Sequence, residues 1–276
     1  MLILAATPIG NLADASPRLV EHLVNAKYIA AEDTRTLYKL AQALQIKVTA
    51  KTFSLHEHNE GDRAKQLVEI AQDEDVLVVS DAGMPTVSDP GFQLVRAAVA
   101  AGIDVTIIPG PSAVLSALAV SGLPTDRFSF EGFIPRKQGE RQRFWQELEH
   151  ETRTMVFFES PHRLHESLEA ALAVLGPGRQ ATVSRELTKK FEQTVRGTLA
   201  ELVEWSADEP KGEIVVVIAG APATEHQAMD VVDQVLELVA AGSPLKPAVA
   251  EIAALAGVSK SELYDLVLLK RKQSAH

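Results

Sequence analysis

Three loops rich in glycine and proline follow three apolar segments of this 276-residue chain, where they could form a ligand site. The segments cover residues 2–6, 75–80 and 104–108, and each is typical of a buried parallel strand. In an open parallel sheet, ligands bind beyond the carboxyl ends of the strands, where loops and helix N-termini converge. Glycine also lets a ligand approach the main chain closely. The sequence therefore predicts a pocket lined by backbone, formed by residues 7–11, 81–85 and 109–113.

Taken singly, each of these loops is also compatible with an ordinary turn between a strand and a helix. None of them contains G-x-G-x-x-G or a Walker A sequence, which argues against the common dinucleotide and P-loop sites. Glu32 and Asp33 follow a further predicted strand, residues 28–31, where an acidic side chain could hold a ribose. The glycine-rich first loop that accompanies such a residue in dinucleotide-binding folds is missing from the sequence.

The segment His56-Glu57-His58 brings two imidazoles and a carboxylate close together in sequence. Residues two apart in an extended segment share a face, so His56 and His58 could converge on a metal ion. The segment lacks the H-E-x-x-H spacing, and no carboxylate-rich motif lies nearby in the sequence. We therefore predict no metal and expect a loop at the acceptor site, with a solvated loop and a metal site as the alternatives.

The composition excludes several classes of protein. The chain contains no cysteine, so a disulfide scaffold, a thiolate zinc site and a cysteine nucleophile are excluded, and a cytoplasmic location fits that count. Hydrophobic residues make up 46% and charged residues 23%, which are ordinary values for a globular protein. The formal net charge is −10, so any binding to nucleic acid would require a local basic patch.

Two segments depart from this acidic balance. Residues 132–143 oppose four basic side chains to Glu140 alone, which suits either a solvated loop or an arm that contacts phosphates. Residues 246–276 carry a net charge of +2, which leaves −12 on the rest of the chain and favours nucleic acid over a plain packing module. The candidate RNA-binding side chains are Arg136, Lys137, Arg141, Lys260, Lys270, Arg271 and Lys272.

Short apolar segments alternate with helical patterns, which predicts an α/β protein. We predict two α/β domains over residues 1–121 and 122–222, the second with a mixed sheet because its strands have more hairpin-like spacing. Residues 223–276 should form a small helical module that contains a helix-turn-helix pattern. Its predicted helices cover residues 226–241, 247–255 and 260–271.

Residues 105–124 contain no charged side chain and are long enough to be mistaken for a membrane span. Pro109-Gly110-Pro111 lies inside this stretch and would break a helix that faces lipid. We therefore expect a buried strand, a tight loop and a buried helix here, and no association with a membrane.

Further motifs extend the comparison beyond the three loops. They include Thr7-Pro8-Ile9-Gly10-Asn11-Leu12, the His-Glu-His-Asn-Glu run of residues 56–60 and the Ser-Asp-Ala-Gly loop of residues 80–83. Others cover residues 31–35, 84–91, 109–113, 132–137, 159–163, 184–189 and 211–213. Together they resemble the signatures of the tetrapyrrole-methylase superfamily, and more narrowly those of its ribosomal RNA branch. The match spans nearly all of residues 1–220.

The resemblance implies a homodimer in which S-adenosylmethionine binds in a cleft between two α/β domains. It also implies 2′-O-methylation of a cytidine ribose in the decoding region of 16S rRNA, with 16S rRNA or the small ribosomal subunit as the partner. Met84 departs from the threonine expected in its loop, and a backbone contact there would survive this change. The implied cofactor-binding residues are Pro8, Gly10, Asp81, Gly83, Val87, Ser112, Ala113, Phe158, Leu187 and Gly212.

The implied reaction requires that donor and acceptor are aligned and that some group accepts the hydroxyl proton. His56, Glu57 and Lys189 are the catalytic candidates, because they lie in polar motifs rather than on apolar faces. Two other functions stay open. One is methylation of a tetrapyrrole carbon, against which the basic C-terminal helices argue. The other is a non-catalytic protein that binds adenosylmethionine and RNA.

Overall fold

Two five-stranded sheets organise the first 220 residues of the chain. The structure, a computed structural model, describes residues 1–56, 58–222 and 228–273. Residues 1–220 form one compact unit and residues 221–276 form a second. The two sheets and the helices that follow their strands confirm the predicted α/β fold class. The domain limits at 121/122 and 222/223 stay predictions.

The first sheet contains β1 (Leu2–Ala5), β2 (Tyr28–Ala31), β3 (Lys51–Ser54), β4 (Val76–Val79) and β5 (Val105–Ile108). The helices that follow these strands are α1 (Pro17–Asn25), α2 (Thr34–Ala43), α3 (Glu60–Asp73), α4 (Phe92–Ala100) and α5 (Ala113–Ser121). All strand pairs are parallel, in the order β3-β2-β4-β1-β5. Every residue of β1 and β4 is buried, which is why these strands are continuous apolar runs.

Two elements of this half are not predicted from the sequence. β3 lies at the edge of the sheet and buries only Phe53, so it has no apolar run to detect. α3 follows it with a largely polar surface. In addition, the helix predicted from residue 37 begins at Thr34, because the Asp33 carboxylate accepts a hydrogen bond from the backbone N–H of Arg35 and caps the helix.

The second sheet contains β6 (Phe128–Phe133), β7 (Thr154–Glu159), β8 (Gln180–Arg185), β9 (Gln193–Thr198) and β10 (Ile214–Ile218). Its helices are α6 (Gln138–Glu147), α7 (Leu164–Leu175) and α8 (Leu199–Ser206). The order is β6-β7-β10-β8-β9, with β6 and β7 parallel and the other pairs antiparallel, so the sheet is mixed as predicted. α8 was not predicted from the sequence, although Thr198 and Glu201 form a capping box at its start.

α5 joins the two sheets. It leaves the first sheet after β5, yet Val114 on α5 shares an apolar core with Val215 on β10. Side chains of the second sheet also bind the end of this helix. The Nε of Arg196 donates to the carbonyl of Ser121 at 3.1 Å, and the Oγ1 of Thr182 donates to the same carbonyl at 3.2 Å. α5 therefore fastens the first sheet to the second, together with Ile9 of the loop after β1, which shares the same apolar core.

The second unit consists of helices around its own core. After a short 3-10 helix (Ala228–Val231) come α9 (Val232–Ala240), α10 (Leu245–Ala256) and α11 (Lys260–Gln273), with Val235, Val249 and Leu263 fully buried among them. Gly257, with φ of 68°, turns the chain between α10 and α11. The last two predicted helices are confirmed, whereas the predicted start of the first, His226, lies outside the described residues. Within the described ranges, no helix is both long and apolar enough to cross a membrane.

Candidate functional site

The carboxyl ends of β4, β1 and β5 lie side by side, and the three glycine- and proline-rich loops leave the sheet there. The backbone N–H of Thr7 donates to the carbonyl of Gly83 at 2.9 Å, and the N–H of Gly83 donates back at 3.1 Å. At Gly110, an added Cβ would lie 2.9 Å from the Cβ of Ala6, so only glycine allows this close approach. The three loops converge, as the sequence predicts.

The loop after β4, residues 80–91, has an unusual backbone. Gly83, Thr86, Ser88 and Gly91 have positive φ values of 82°, 75°, 62° and 123°. Two of these residues are not glycine, and an L-residue in this region is strained. Such strain persists where surrounding contacts fix the backbone, and it concentrates at functional sites.

Glu60 anchors the end of this loop. Its carboxylate is buried and accepts hydrogen bonds from the backbone N–H of Gly91 at 2.9 Å and of Gln93 at 2.6 Å. These N–H groups open α4, where a negative charge is also favoured by the helix dipole. Asn59 organises the preceding turn by accepting a hydrogen bond from the backbone N–H of His56 at 2.9 Å. The polar motif of residues 56–60 therefore supports the loop after β4.

A cavity of about 440 Å³ opens between the converging loops and the second sheet. Its first wall comes from the loops of the first sheet, and its second from the ends of β6, β7 and β10. The first wall comprises Ile9, Ala82, Gly83, Met84, Val87, Asp89, Ser112, Ala113 and Val114. The second comprises Phe133, Phe158, Glu159, Ser160, Pro161, Gly212, Glu213, Ile214 and Val215.

The cavity brings together most of the residues proposed to bind the cofactor. Those that line it are Gly83, Val87, Ser112, Ala113, Phe158 and Gly212. The other four, Pro8, Gly10, Asp81 and Leu187, lie in adjoining loops. At Gly10, an added Cβ would lie 2.8 Å from the Oγ1 of Thr188 and 3.0 Å from the carbonyl oxygen of Leu187, so the loop after β1 packs tightly on the loop after β8.

Several carboxylates meet at the ends of β2 and β4. The Asp81 carboxylate accepts a hydrogen bond from the backbone N–H of Asp33 at 3.1 Å, and the Glu32 carboxylate accepts one from the N–H of Asp81 at 3.2 Å. Burial raises the pKa of both Glu32 and Asp81. By contrast, the hydrogen bonds from Arg35 lower the pKa of Asp33 to about 2.

Asp89 is the carboxylate of this group that faces the cavity. Burial, followed by the negative charges of Glu32 and Asp81, raises the pKa of Asp89 to about 7, against a smaller opposing effect of the Ser80 hydroxyl. At neutral pH this carboxyl group is therefore divided between its protonated and ionised forms. Such a group can exchange a proton with a ligand.

Two further carboxylates line the opposite wall. The Glu159 side chain is fully buried, pairs with Arg163 and accepts a hydrogen bond of 2.6 Å from the backbone N–H of Ser160. The Glu213 side chain is exposed and lies 3.1 Å from the Nζ of Lys189. Both groups are held by cations or by N–H donors, so they add negative charge to the wall in fixed positions.

The predicted catalytic residues do not meet at the cavity. Lys189 donates to the carboxylate of Glu186 at 3.0 Å. Burial alone would lower the pKa of Lys189, but the hydrogen bonds to Glu186 and Glu213 outweigh it and raise that pKa. Lys189 is therefore protonated at neutral pH, and we correct its assignment as proton acceptor. His56 is exposed in the loop after β3, the edge strand, and is not one of the residues that line the cavity. Glu57 lies outside the described residues.

Only some of the candidate RNA-binding residues are exposed and thus accessible to RNA. Arg136 and Lys137 are exposed between β6 and α6, as a phosphate contact requires, although the Nζ of Lys137 donates to the carboxylate of Glu140 at 2.9 Å. Arg141 must be withdrawn, because its guanidinium is buried and lies 3.1 Å from the carboxylate of Glu166. On α11, Lys260, Arg271 and Lys272 are exposed, whereas the Nζ of Lys270 binds the carboxylate of Asp233 at 2.7 Å.

Asp89 and Phe133 are among the lining residues of the cavity that were not predicted from the sequence. Asp89 lies within the quoted motif of residues 84–91, where an acidic residue before Pro90-Gly91 was the available signal. Phe133 ends β6 just after the left-handed Gly132 (φ of 72°), and 59% of its surface is exposed. Its ring lies edge-on to that of Phe158, with centroids 5.4 Å apart. An exposed aromatic ring next to basic residues was the signal here.

The histidines of the polar motif do not form a metal site in the described part of the chain. The rings of His56 and His58 lie 6.2 Å apart between centroids, in an edge-on arrangement. Over residues 1–56, 58–222 and 228–273, the structure contains no cluster of three histidine, aspartate or glutamate side chains placed to hold a metal ion.

Comparison with known families divides the chain in the same way as its compact units. The family described as Tetrapyrrole (Corrin/Porphyrin) Methylases matches residues 1–203. The family described as RsmI C-terminal HTH domain matches residues 225–272. The second match agrees with the helix-turn-helix pattern predicted there from the sequence.

Curated relatives are similar over nearly the whole chain. Proteins named Ribosomal RNA small subunit methyltransferase I share 49% identity in Mycobacterium tuberculosis (strain CDC 1551 / Oshkosh) and 44% in Pseudomonas aeruginosa. The first alignment covers 99% of this chain and 96% of the relative, and the second covers 99% and 98%.

Solved structures share the fold at lower identity. The methyltransferase CobJ superposes with a TM-score of 0.60 at 21% identity, over 80% of this chain and 94% of its own. The uroporphyrin-III C-methyl transferase from Thermus thermophilus, complexed with S-adenyl homocysteine, superposes with a TM-score of 0.52 at 18% identity, over 79% and 96%. At these identities the similarity concerns the fold alone.

Proposed function

Because the chain belongs to the tetrapyrrole methylase family, we propose that it transfers a methyl group from S-adenosylmethionine to the RNA of the small ribosomal subunit. The observation that carries this proposal is the 49% identity, over nearly the full length of both chains, with a relative named for that activity. More finely, we propose that the acceptor is the 2′-hydroxyl of a cytidine in the decoding region of 16S rRNA. The resemblance of the motifs supports this finer assignment.

The cavity suits S-adenosylmethionine in size and in chemistry. Its volume of about 440 Å³ falls within the range of small-molecule sites, which are mostly apolar with a few fixed polar groups. Val87 and Phe158 offer apolar surface, whereas Gly83 and Gly212 expose backbone. When bound, this cofactor supplies a methyl group on a positively charged sulfur. The ionised carboxylate of Asp89 favours that charge, because opposite charges attract strongly where water is partly excluded. By contrast, Glu159 and Glu213 are already paired with Arg163 and Lys189.

Lys189 has a structural role in this site. It ties Glu186, in the loop after β8, to Glu213, which precedes β10. Glu186 in turn accepts a hydrogen bond of 3.0 Å from the backbone N–H of Glu213. We infer that this network fixes the loops that close the cavity from the second sheet. Lys189 is then a positioning residue.

The rim of the cavity suits an RNA acceptor. Phe133 lines the cavity and is exposed. The cations Arg136 and Lys137 follow it three and four residues later. Single-stranded RNA is commonly bound by aromatic rings that stack on bases and by cations that contact phosphates. We propose that Phe133 stacks on a base next to the methylated ribose, with Arg136 and Lys137 on the flanking phosphates.

The C-terminal unit supplies the second proposed RNA contact. Lys260, Arg271 and Lys272 are exposed on α11, and each cation that neutralises a phosphate adds somewhat under one to the slope of log affinity against log salt. A variant that lacks residues 225–276 should retain cofactor binding, because the whole cavity lining lies within residues 1–220. Its RNA affinity should fall and become less dependent on salt. Unchanged RNA affinity in this folded variant would assign the helices to packing alone.

We also propose a homodimer in the cytoplasm. β5 is an edge strand on which Ile107 is exposed, and Leu115 on α5 is exposed as well. Exposed edges and apolar side chains of this kind are usually covered by a partner, here a second copy of the chain. Light scattering should give twice the mass of the chain, and Leu115→Lys should shift the equilibrium towards the monomer.

One experiment tests the proposed activity. The protein is incubated with methyl-labelled S-adenosylmethionine and small ribosomal subunits assembled from unmodified RNA, and the label is mapped by nuclease digestion. We expect label on the ribose of one cytidine. Label on a base or on protein would contradict the finer assignment. Labelling of an added tetrapyrrole would support the alternative substrate class, and cofactor binding without transfer would support a non-catalytic RNA-binding protein.

A further inference from the structure

The proposed reaction needs a group that takes the proton of the acceptor hydroxyl. A 2′-hydroxyl is a weak nucleophile, and removal of its proton during the transfer accelerates the step. Lys189 cannot serve while Glu186 and Glu213 hold it in the protonated form. His56 lies on the loop of the edge strand and outside the cavity lining. Among the described residues, the remaining candidates for the proton acceptor are the titratable groups that line the cavity.

Asp89 differs from the other carboxylates of the cavity in its surroundings. Glu159 is held by Arg163 and by the N–H of Ser160, and Glu213 is held by Lys189. The neighbours of Asp89 are instead Ser80 and the carboxylates of Glu32 and Asp81. A carboxylate that is paired with a cation is a poor base, whereas one surrounded by like charges takes up a proton readily.

The backbone around Asp89 is fixed in place. Thr86 and Ser88 precede it with positive φ, and Gly91 follows it with φ of 123°. The N–H of Gly91 is held by the buried carboxylate of Glu60 at 2.9 Å. A strained segment that is anchored in this way holds its side chain in a defined position against the cavity. Proton transfer needs such a position, because the acceptor must come within hydrogen-bond distance of the hydroxyl.

We propose that the carboxylate of Asp89 is the catalytic proton acceptor of the methyl transfer. In the step, the hydroxyl proton passes to Asp89 while an electron pair of the hydroxyl oxygen forms the bond to the methyl carbon. The pair of the carbon–sulfur bond stays on sulfur, which becomes neutral, so adenosylhomocysteine and protonated Asp89 are the products beside the methylated ribose. Asp89 then releases the proton to water. This inference rests on the proposed function.

Several charged groups determine the pH dependence of this step. Burial, and then the negative charge of Glu32, raise the pKa of Asp89 to about 7. The Ser80 hydroxyl opposes this shift, and the charge of Asp81 adds the smallest effect. Glu159 and Glu213 lie on the opposite wall, the latter neutralised by Lys189. The ionised form of Asp89 is the active form. The positive sulfur of the bound cofactor lowers the pKa of Asp89 below the value of about 7 in the empty site, so the single-turnover rate should rise about tenfold per pH unit at acid pH and level off at or below about pH 7.

The test is the single-turnover rate of methyl transfer to unmodified small subunits by Asp89→Asn, which keeps the shape but cannot accept the proton. At saturating cofactor, which compensates for any loss of affinity, we expect a rate about 100-fold or more below that of the unaltered protein. Asp89→Glu should recover part of the rate together with the pH dependence. Asp104→Asn is the matched control, because Asp104 is exposed next to the opposite end of β5 and should leave the rate unchanged.

The outcomes separate this inference from the proposed function. If the unaltered protein labels no RNA, the proposed function fails and the inference fails with it. If the unaltered protein labels RNA and Asp89→Asn does so at the same rate, only the inference fails. Loss of cofactor binding in Asp89→Asn would make Asp89 a cofactor ligand and overturn its role as base. A single-turnover rate of the unaltered protein that does not rise with pH anywhere at or below about pH 7 would also overturn it, whether or not the variants fold.

Discussion

Replacement of Glu60 by alanine tests whether the polar motif supports the loop of the site. Glu60 lies on α3, and its carboxylate accepts hydrogen bonds at the start of α4. The donors are the N–H groups of Gly91 at 2.9 Å and of Gln93 at 2.6 Å. Alanine would leave the buried N–H of Gly91 without its acceptor. Water can reach it only if the loop opens.

The size of the effect follows from these two bonds. A hydrogen bond to a charged group contributes about 1.5–3 kcal/mol, and the interaction of the carboxylate with the N-terminus of α4 adds up to about 1 kcal/mol. We expect Glu60→Ala to lower the free energy of unfolding by about 3–5 kcal/mol. In a domain of this size, that corresponds to a fall of about 10 °C in the Tm. Glu60→Gln keeps one acceptor oxygen and should lose about half as much.

Urea titration followed by circular dichroism measures this difference. Glu69→Ala is the matched control, because Glu69 is exposed on the same helix and its removal should change stability by less than about 0.5 kcal/mol. Glu60→Ala should also lower the rate of methyl transfer at a temperature where it is still folded, since the loop that carries Asp89 loses its anchor. Equal stabilities of Glu60→Ala and Glu69→Ala would refute the assignment of Glu60 as the anchor of this loop.

Three further substitutions test the site. Asp89→Asn should stabilise the fold by an amount that grows from pH 3.8 to about 7 and is constant above, because burial raises the pKa of Asp89 and its ionisation destabilises the folded state; thermal melts across this window check the sign. Gly10→Ala should abolish cofactor binding in calorimetry, because its Cβ would collide with the loop after β8, whereas Gly178→Ala, whose Cβ meets nothing within 4 Å in the described chain, should not. Phe133→Ala should raise the KM for RNA about tenfold, since stacking on a base contributes about 1–3 kcal/mol, and Phe133→Tyr should restore it.

The architecture could be predicted largely from local signals. Continuous apolar runs such as residues 75–80 mark the buried strands of the parallel sheet, and Ser16-Pro17 marks the start of α1 through a cap and an N1 proline. The position of three loops at neighbouring strand ends then follows from the topology. β3 was not predicted, because an edge strand that buries only Phe53 has no continuous apolar run.

The side chains of the site were harder to predict, because their roles depend on neighbours from distant segments. Arg141 has the positive charge expected of a phosphate contact, yet its guanidinium is buried and pairs with Glu166. Lys189 has the chemistry of a base, yet Glu186 and Glu213 keep it charged. Asp89 acquires its raised pKa from burial and from carboxylates at the ends of other strands. Apart from Glu186 and Lys189, which are three residues apart, no spacing in the sequence encodes these pairings.

The two sheets contribute different parts of the site, so the fold must keep the two sheets at a fixed spacing. Asp89 belongs to a loop of the first sheet, whereas Phe133 ends an outer strand of the second. Base stacking on one wall and proton removal on the other are productive together only if the walls keep their spacing, because a displacement of about 1 Å can reduce the rate about 100-fold. α5 maintains that spacing by packing on β10 and by the bonds that Arg196 and Thr182 make to its last carbonyls. The contacts between α5 and the second sheet therefore position the two walls of the proposed site.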